Sequence, residues 1–295
     1  MLAKIGKALA DPGLAAAWAY ARFFPRQSLQ RNTALCRRAG LRAPGFILSF
    51  DCDTDADSAV VGNVHARLRA AGLSPLYAVA GEVLADAATT YREIADDGAV
   101  FLNHGFRRHA ALDSASGELT STYFYGTAPT AEWQQDIQRG DEAIRDILGQ
   151  APDGFRTPHF ASFEQPQELR ALWRYLKSLG YRYSSSTRPL FTLRHGPFYD
   201  RDGITEFPVS GCISQPGQII DSWGIVRNGD GSPDRLIAEL NAYLAVMKSG
   251  QPLFLNMYLD PADIALHDEV FATLAAFAPY AAPDFPTILA RAGHG

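Results

Sequence analysis

The sequence of 295 residues contains only three cysteines, Cys36, Cys52 and Cys212. A small and odd number of cysteines cannot form the disulfide framework of a small secreted domain. A reducing compartment is the simpler interpretation, and we predict a cytoplasmic protein.

The N-terminal region lacks a hydrophobic run long enough to cross a bilayer. Its longest apolar stretch, residues 14–21, is far shorter than the roughly 20 residues that a transmembrane helix requires. Arginines follow this stretch where a signal peptide needs a small-residue cleavage site. We therefore predict that residues 1–45 form an N-terminal helical extension with no transmembrane segment. Because Trp18 and neighbouring aromatic residues lie among arginines, peripheral membrane contact is an alternative role for this extension.

An excess of positive charge is also absent, since 27 Lys and Arg residues stand against 32 Asp and Glu residues, a net charge of −5. This balance argues against a nucleic-acid partner held by bulk positive charge. No Gly-x-Gly-x-x-Gly or Walker-type loop opens a predicted helix, so a dinucleotide or nucleoside triphosphate site has no support.

From residue 46 onward, short apolar runs alternate with longer helical patterns. The first predicted strands are Phe46–Phe50, Leu76–Ala80 and Val100–Leu102, and each ends in polar residues. This alternation is typical of βα units in a parallel sheet. Six or more such units favour an α/β fold with a closed or nearly closed barrel, and an open doubly wound sheet is the competing architecture. No linker divides the chain, so we predict one barrel domain over residues 46–295.

An Asp-x-Asp-x-Asp segment, Asp51 to Asp55, follows the first predicted strand directly. If the alternation of the strand persists, Asp51, Asp53 and Asp55 face one side while the thiol of Cys52 packs in the core. A calcium loop does not fit, because this segment lacks Gly at its sixth position and Glu at its twelfth. Acids at the carboxyl ends of barrel strands tend to be functional, so we expect a site here.

Two histidines, His104 and His109, follow the strand that ends at Leu102. Five residues apart on a regular helix they would diverge by about 140°, so joint binding of a metal requires a loop or a turn. Imidazole nitrogens together with a carboxylate suit Zn²⁺.

A third polar segment, Arg156-Thr157-Pro158-His159, follows another apolar strand. The planar guanidinium of Arg156 can hold a carboxylate, and Pro158 stiffens the loop that positions it.

In order and spacing these motifs resemble those of the polysaccharide deacetylase family, carbohydrate esterase family 4, over about residues 44–276. The segments that carry the resemblance are residues 50–53, 104–109, 156–159, 255–261 and, more loosely, 221–223. The resemblance implies a distorted (β/α)₇ barrel and metal-dependent removal of an N-acyl group, usually N-acetyl, from an amino sugar.

The resemblance also assigns roles to individual residues. It implies Asp51 as the general base, Arg156 as the residue that orients it, and a divalent metal, expected to be Zn²⁺, on three ligands. The implied ligands are Asp53, His104 and His109, and the residues implied to line the sugar pocket are Phe106, Pro158, Trp223 and Tyr258.

The sequence departs from the family pattern at the general acid. The fifth motif usually supplies a His before a Pro, and here Asp260 precedes Pro261. The candidates for the acid are therefore Asp260 and His159, which lies where the family usually has an aromatic residue. We expect His159, because an imidazole titrates near neutral pH whereas an unperturbed carboxyl group is ionised there.

Several functions stay open at this point. The first is a deacetylase that acts on a soluble or lipid-linked sugar intermediate of glycan biosynthesis. The alternatives are a sugar-binding pseudoenzyme on the same fold and a related amidohydrolase that acts on a cyclic amide. A haloacid-dehalogenase-type phosphatase is a weaker alternative, because its later acidic motif would fall on Asp141, inside a helical pattern. Residues 113–129 are expected to lie over the strand ends and narrow the cleft.

Overall fold

The structure is a computed structural model that describes residues 11–112, 119–163 and 165–294. The first ten residues of the predicted extension and the first part of the predicted insertion, residues 113–118, therefore lie outside the described residues.

An eight-stranded sheet forms the centre of the molecule, with strand order β10-β1-β2-β3-β6-β7-β9-β8. Among the described residues, seven of its strands run parallel, and β8 pairs antiparallel with β9. A separate hairpin of β4 and β5 follows β3. The strands are β1 (Gly45–Cys52), β2 (Leu76–Val79), β3 (Val100–Asn103), β4 (Ala110–Leu112), β5 (Leu119–Ser121), β6 (Gly154–Arg156), β7 (Tyr183–Ser185), β8 (Tyr199–Arg201), β9 (Ile204–Glu206) and β10 (Phe254–Leu259).

Helices connect most of the parallel strands. They are α1 (Pro12–Phe23), α2 (Pro25–Arg38), α3 (Asp55–Ala70), α4 (Gly81–Asp86), α5 (Ala88–Asp96), α6 (Thr130–Leu148), α7 (Pro166–Ser178), α8 (Pro189–His195), α9 (Asp234–Lys248), α10 (Pro261–Ile264), α11 (Asp268–Ala275) and α12 (Phe285–Arg291). A short π-helix covers Trp223–Arg227, and a 3₁₀ turn covers Ala278–Tyr280. In the part of the chain that the structure describes, no helix is both long and apolar enough to cross a membrane.

The strand order distinguishes the two architectures that the sequence left open. An open doubly wound sheet reverses its strand order near the middle. Here the strands follow one another in chain order from β1 to β7, and β10 returns beside β1. The α/β fold with a barrel-like, mostly parallel sheet is therefore confirmed.

No regular strand pairing joins β10 to the far side of the described sheet. Instead, the irregular segment that follows β9 bonds to β10. The backbone N–H of Ser210, just after β9, donates to the carbonyl of Asn256 in β10 at 2.8 Å. The side-chain amide of Asn256 donates to the carbonyls of Phe207 and Pro208 at 3.0 and 3.1 Å. These bonds connect β10 with the chain that leaves β9, and the barrel is distorted at this seam.

The described part of the N-terminal extension is helical and lies on α8. Ala17 and Ala21 of α1 pack against Leu190 and Leu193. Arg31 of α2 donates to the carbonyl of Leu193 at 2.6 Å. The boundary between an extension and a barrel domain at residue 45 stays a prediction.

Candidate metal centre and active site

The acidic segment after β1 divides into a buried part and an exposed part. Asp51 is the penultimate residue of β1 and Asp53 follows the strand, while Cys52 is fully buried in the core. Thr54 then caps α3 through a capping box with Asp57, so strand alternation ends at this point. The expectation that Asp55 joins the other carboxylates is therefore wrong: its side chain is 83% exposed and pairs with Arg108.

Three of the predicted residues form a compact group of metal-binding atoms. The Oδ1 atom of Asp53 lies 3.3 Å from Nε2 of His104 and 2.9 Å from Nε2 of His109. One donor atom from each residue lies within 4.8 Å of the other two. The histidine rings meet edge to face at 4.6 Å, because residues 104–109 form a loop, as their spacing requires.

The histidine loop is held in place by acids from two neighbouring helices. Asp136 of α6 accepts the backbone N–H groups of Phe106 and Arg107, each at 3.1 Å, and Glu82 of α4 accepts that of Arg108 at 2.8 Å. Gly105 adopts φ +78° and approaches Asp136 so closely that a Cβ atom there would collide with it. These contacts give the five-residue spacing a defined conformation.

The hydrogen bonds of the histidines set their orientation. Nδ1 of His104 lies 2.8 Å from the carbonyl of Arg156, and Nδ1 of His109 lies 3.3 Å from that of Arg107. An Nδ1–H that donates to a carbonyl leaves the Nε2 lone pair directed at Asp53, as in ligating histidines.

Electrostatics also favours a cation at this position. Burial raises the pKa of Asp53, but His109 and His104 outweigh it and hold that pKa well below its usual value. Burial lowers the pKa of His109, yet Asp53 raises it above its usual value on balance. Two imidazoles and one carboxylate form a donor set that fits a divalent metal.

A second carboxylate lies beside this group and is fixed by Arg156. The guanidinium, which is fully buried, donates from Nη1 to Asp51 Oδ1 at 3.1 Å and from Nη2 to Ser49 Oγ at 2.9 Å. The other oxygen of Asp51 lies 4.0 Å from Nε2 of His104. Burial raises the pKa of Asp51, and Arg156 and His104 offset this only in part. Ser49 was not predicted, although it lies two residues before Asp51 on the same face of the strand.

Tyr258 and Phe160 form an aromatic wall next to Arg156. Their rings stack with centroids 5.4 Å apart, and the guanidinium carbon of Arg156 lies 5.3 and 5.6 Å from them. The hydroxyl of Tyr258 donates to Asp221 at 3.0 Å. Burial raises the pKa of Asp221 to about 6.

Asp260 follows β10 and is buried. Its Oδ2 accepts the hydroxyl of Ser222 at 3.0 Å, and its backbone N–H donates to the same hydroxyl at 2.7 Å. Burial raises the pKa of Asp260 well above its usual value, and the nearby carboxylates of Asp263 and Asp57 raise it further. Ser222 was predicted only as part of a loose motif, without a role.

His159 packs against His109 of the metal-binding group. Its ring lies 5.1 Å from that of His109 and 4.7 Å from that of Phe124. Its Nε2 lies 2.9 Å from the carbonyl of His109, in position to donate to it. Burial, together with the positive charge of His109, lowers the pKa of His159 to about 4. Its φ of +55° is unusual for a residue with a side chain and is found mainly at functional sites.

The other residues predicted to bind a sugar have contacts of different kinds. The ring of Phe106 packs against Gly81 and lies 3.7 Å from the guanidinium of Arg139, so its contacts lie with α4 and α6. Pro158 is buried, and Trp223 begins the π-helix, with Arg227 5.3 Å from its ring. Their part in sugar binding stays a prediction.

The acid that a phosphatase of the haloacid dehalogenase type would require lies elsewhere. Asp141 lies inside α6, where it accepts hydrogen bonds from Arg145 at 2.6 Å and Tyr181 at 3.0 Å. Asp141 therefore pairs with a residue of its own helix and binds α6 to the segment before β7. The phosphatase alternative gains no support from these contacts.

The family model for polysaccharide deacetylase matches residues 41–184. A structure described as a polysaccharide deacetylase from Mycobacterium smegmatis is 18% identical to this chain with a TM-score of 0.61. The match covers 86% of this chain and 90% of that one. A structure described as a polysaccharide deacetylase from Pseudomonas aeruginosa PAO1 is 14% identical with a TM-score of 0.58, and the match covers 87% of this chain and 92% of that one. Puue allantoinase is 12% identical with a TM-score of 0.59, and the match covers 86% of this chain and 91% of that one.

Similarity at these identities shows the fold alone, and no curated protein sequence matches the chain. The family match covers the first three motifs, which include the metal-binding group and its neighbouring carboxylate. Residues 41–184 therefore resemble the polysaccharide deacetylase family, and the chain has the fold of structures described as polysaccharide deacetylases.

Proposed function

We propose that this protein is a metal-dependent hydrolase that removes an N-acetyl or another N-acyl group from an amino sugar, an intermediate of glycan biosynthesis in the cytoplasm. One observation supports this most directly. A buried carboxylate, Asp51, is fixed by Arg156 at 4.0 Å from a histidine of a three-residue metal-binding group.

Asp53, His104 and His109 would hold the metal, and the two nitrogens and one oxygen favour Zn²⁺. When bound, such an ion polarises the amide carbonyl and lowers the pKa of water to about 7. The protein contributes the orientation of the ligands, because the carbonyls of Arg156 and Arg107 fix the two imidazoles.

Asp51 is suited to act as the general base. Arg156 engages Oδ1, so Oδ2, on the side of His104, is left to accept the proton of the attacking water. The hydroxyl of Ser49 accepts a hydrogen bond from Nη2 of the same guanidinium and donates one to the carbonyl of Met257 at 3.0 Å. The base is thereby held by a chain of buried hydrogen bonds across β1, β6 and β10.

The leaving amine must receive a proton as the tetrahedral intermediate collapses. The sequence favours His159 for this step, but its Nε2 lies within hydrogen-bond distance of a backbone carbonyl and its pKa is lowered to about 4. A neutral imidazole in this arrangement is a poor proton donor at pH 7. Asp260 retains a proton to higher pH because burial raises its pKa, and Ser222 fixes its orientation. These contacts favour Asp260 as the acid.

The burial of the reacting groups favours a small substrate. The side chain of Asp53 is 14% exposed, and those of Asp51, His104 and His109 are 7%, 2% and 1% exposed. A free or lipid-linked amino sugar can present a single acyl group to such a site more easily than a long polymer can. The same observation favours a second candidate, hydrolysis of a small cyclic amide, and Puue allantoinase is among the structural relatives of the chain.

The experiment compares wild type with Asp51→Asn and the matched control Asp55→Asn, whose carboxylate is exposed. Acetate release from N-acetyl amino sugars and ring opening of cyclic amides are measured alongside metal content. We expect Asp51→Asn to keep the metal and lose about 10²–10⁴-fold in rate, with Asp55→Asn near wild type.

Each contrary outcome has a separate meaning. Unchanged acetate release in Asp51→Asn assigns the base to another residue. Activity on cyclic amides alone favours the second candidate. If wild type holds metal and binds sugars without turnover, the protein is a sugar-binding pseudoenzyme. Asp260, in place of the usual histidine, would then explain the lack of activity.

A further inference from the structure

Helix α1 is apolar on both its inner and its outer side. Ala17 and Ala21 on the inner side pack against α8. On the outer side, Phe23 is 66% exposed and Phe24, at the junction with α2, is 49% exposed, while Trp18, 55% exposed, lies about 140° around the helix from Phe23. A helix on a protein surface normally presents polar residues to water on this side.

The exposed aromatic residues are concentrated in one place. Five large hydrophobic residues are exposed in the part of the chain that the structure describes, and three of them lie within residues 18–24. The other two are Phe124, beside His159, and Leu266. Scattered exposed hydrophobic residues such as Trp18 need no explanation, but Phe23 and Phe24 adjoin one another, and a contiguous apolar group indicates a binding surface.

Charge distinguishes the N-terminal segment that contains this surface from the rest of the sequence. Residues 1–42 contain eight of the 27 Lys and Arg residues but only one of the 32 Asp and Glu residues, although the chain carries a net charge of −5. The one acid, Asp11, caps α1 and pairs with Arg194. Arg22 and Arg26 are exposed next to the aromatic residues, and the guanidinium carbon of Arg22 lies 5.8 Å from the ring centroid of Phe23.

We propose that the surface formed by Arg22, Phe23, Phe24 and Arg26 docks on an anionic lipid bilayer. Aromatic rings enter the interfacial region of a bilayer, while arginine side chains extend to the anionic headgroups. A second copy of the chain is a less suitable occupant, because a two-fold contact would bring the same arginines against one another. Docking of this kind is peripheral and requires no spanning helix.

The experiment is cosedimentation of the full chain with vesicles of phosphatidylcholine alone and of phosphatidylcholine mixed with phosphatidylglycerol. We expect binding to the anionic vesicles only, and weaker binding in about 0.5 M NaCl, which screens the charges. Replacing both rings, Phe23→Ser with Phe24→Ser, should lower the partition coefficient about tenfold or more. Arg26→Glu should lower it about fivefold or more.

Matched controls separate this surface from general effects. Leu266→Ser removes a hydrophobic residue elsewhere that is 93% exposed, and Arg170→Glu reverses an exposed arginine on α7; both should bind as wild type does. Melting temperatures verify folding of every variant. Equal binding to neutral vesicles, or no binding to either kind, overturns the proposal. A dimer in light scattering that Phe23→Ser with Phe24→Ser dissociates, without vesicle binding, assigns the surface to a second copy.

Discussion

Arg156 contacts both the proposed base, Asp51, and the metal-binding group. Its side chain holds Asp51 and Ser49, while its backbone carbonyl lies 2.8 Å from Nδ1 of His104. Lysine could replace only the charge of this residue, because it lacks the planar fork that contacts two partners at once. The sequence predicted the contact with Asp51, whereas the contact with His104 involves backbone that a residue pattern does not reveal.

The metal-binding residues give the first prediction. In Asp53→Ala and in His104→Ala we expect less than one metal ion per chain after dialysis, because each variant removes one of three ligands. Elemental analysis of the purified proteins measures this. His267→Ala is the control, since His267 lies next to Glu269 on α11, away from the ligands. Equal metal content in all four proteins contradicts the assignment.

The general acid gives the second prediction. Asp260→Asn should lower acetate release by about 10²–10⁴-fold, because the amide cannot donate a proton to the leaving amine in the way a carboxyl can. His159→Phe should retain most activity, since phenylalanine preserves the ring over His109. Initial rates across pH, with metal content as a check, measure both. Loss confined to His159→Phe assigns the acid to the imidazole.

Asp221 gives a prediction about pH. Burial raises its pKa from 3.8 to about 6 in the folded protein, so folding favours the protonated carboxyl. The resulting stabilisation is complete below about pH 4 and is lost as the pH rises through 6. Relative to Asp221→Asn, wild type should therefore lose up to about 3 kcal/mol of unfolding free energy over this interval.

Urea unfolding at pH 4 and pH 7 measures this difference, with Asp230→Asn, which changes an exposed acid, as the control. Parallel pH dependence of wild type and Asp221→Asn would show that Asp221 titrates normally in the fold.

At the scale of elements, buried strands were the easiest feature to predict. All eight residues of β1 are buried, so the apolar run Phe46–Phe50 identified the strand. The error at Asp55 arose at the boundary with α3. Thr54 and Asp57 form the cap that ends the alternation, and Asp57 also accepts the N–H of Ala262, 205 residues away in sequence. Contacts at such separations depend on the assembled fold and leave no local pattern.

The supports of the histidine loop illustrate the same limit. His104 and His109 were predicted as partners from their position after β3, and the structure brings them together. Asp136, which holds the loop, lies on the buried side of α6 and has no motif of its own. A buried acid on the inner face of a helix was the only available signal, and it did not indicate which backbone groups the acid would accept.

At the scale of the whole molecule, the site depends on which strands become neighbours. Chain order places β1, β3 and β6 close together, so three motifs meet at one end of the sheet although the first and the third are 105 residues apart. The sequence predicted this convergence because strand carboxyl ends share one side of a parallel sheet. It did not predict the seam between β10 and the chain after β9, because this seam combines a single backbone bond with side-chain amide bonds instead of a strand ladder.

The seam gives the last prediction. Asn256 is fully buried, and its side-chain amide donates hydrogen bonds to the carbonyls of Phe207 and Pro208. Asn256→Leu keeps the volume but leaves these acceptors without their donor, at a cost of about 1–3 kcal/mol each. We therefore expect urea unfolding to show a loss of at least about 2 kcal/mol, with Asn241→Leu on the exposed side of α9 as the control.

Metal content distinguishes damage to the seam from general damage to the fold. The ligands lie after β1 and β3, so the folded fraction of Asn256→Leu should bind as much metal as wild type does. A loss of stability indistinguishable from that of Asn241→Leu would mean that the seam does not hold the barrel together. Loss of metal from protein that is still folded would mean that the seam and the site are coupled, and that barrel closure positions the ligands as well as stabilising the chain.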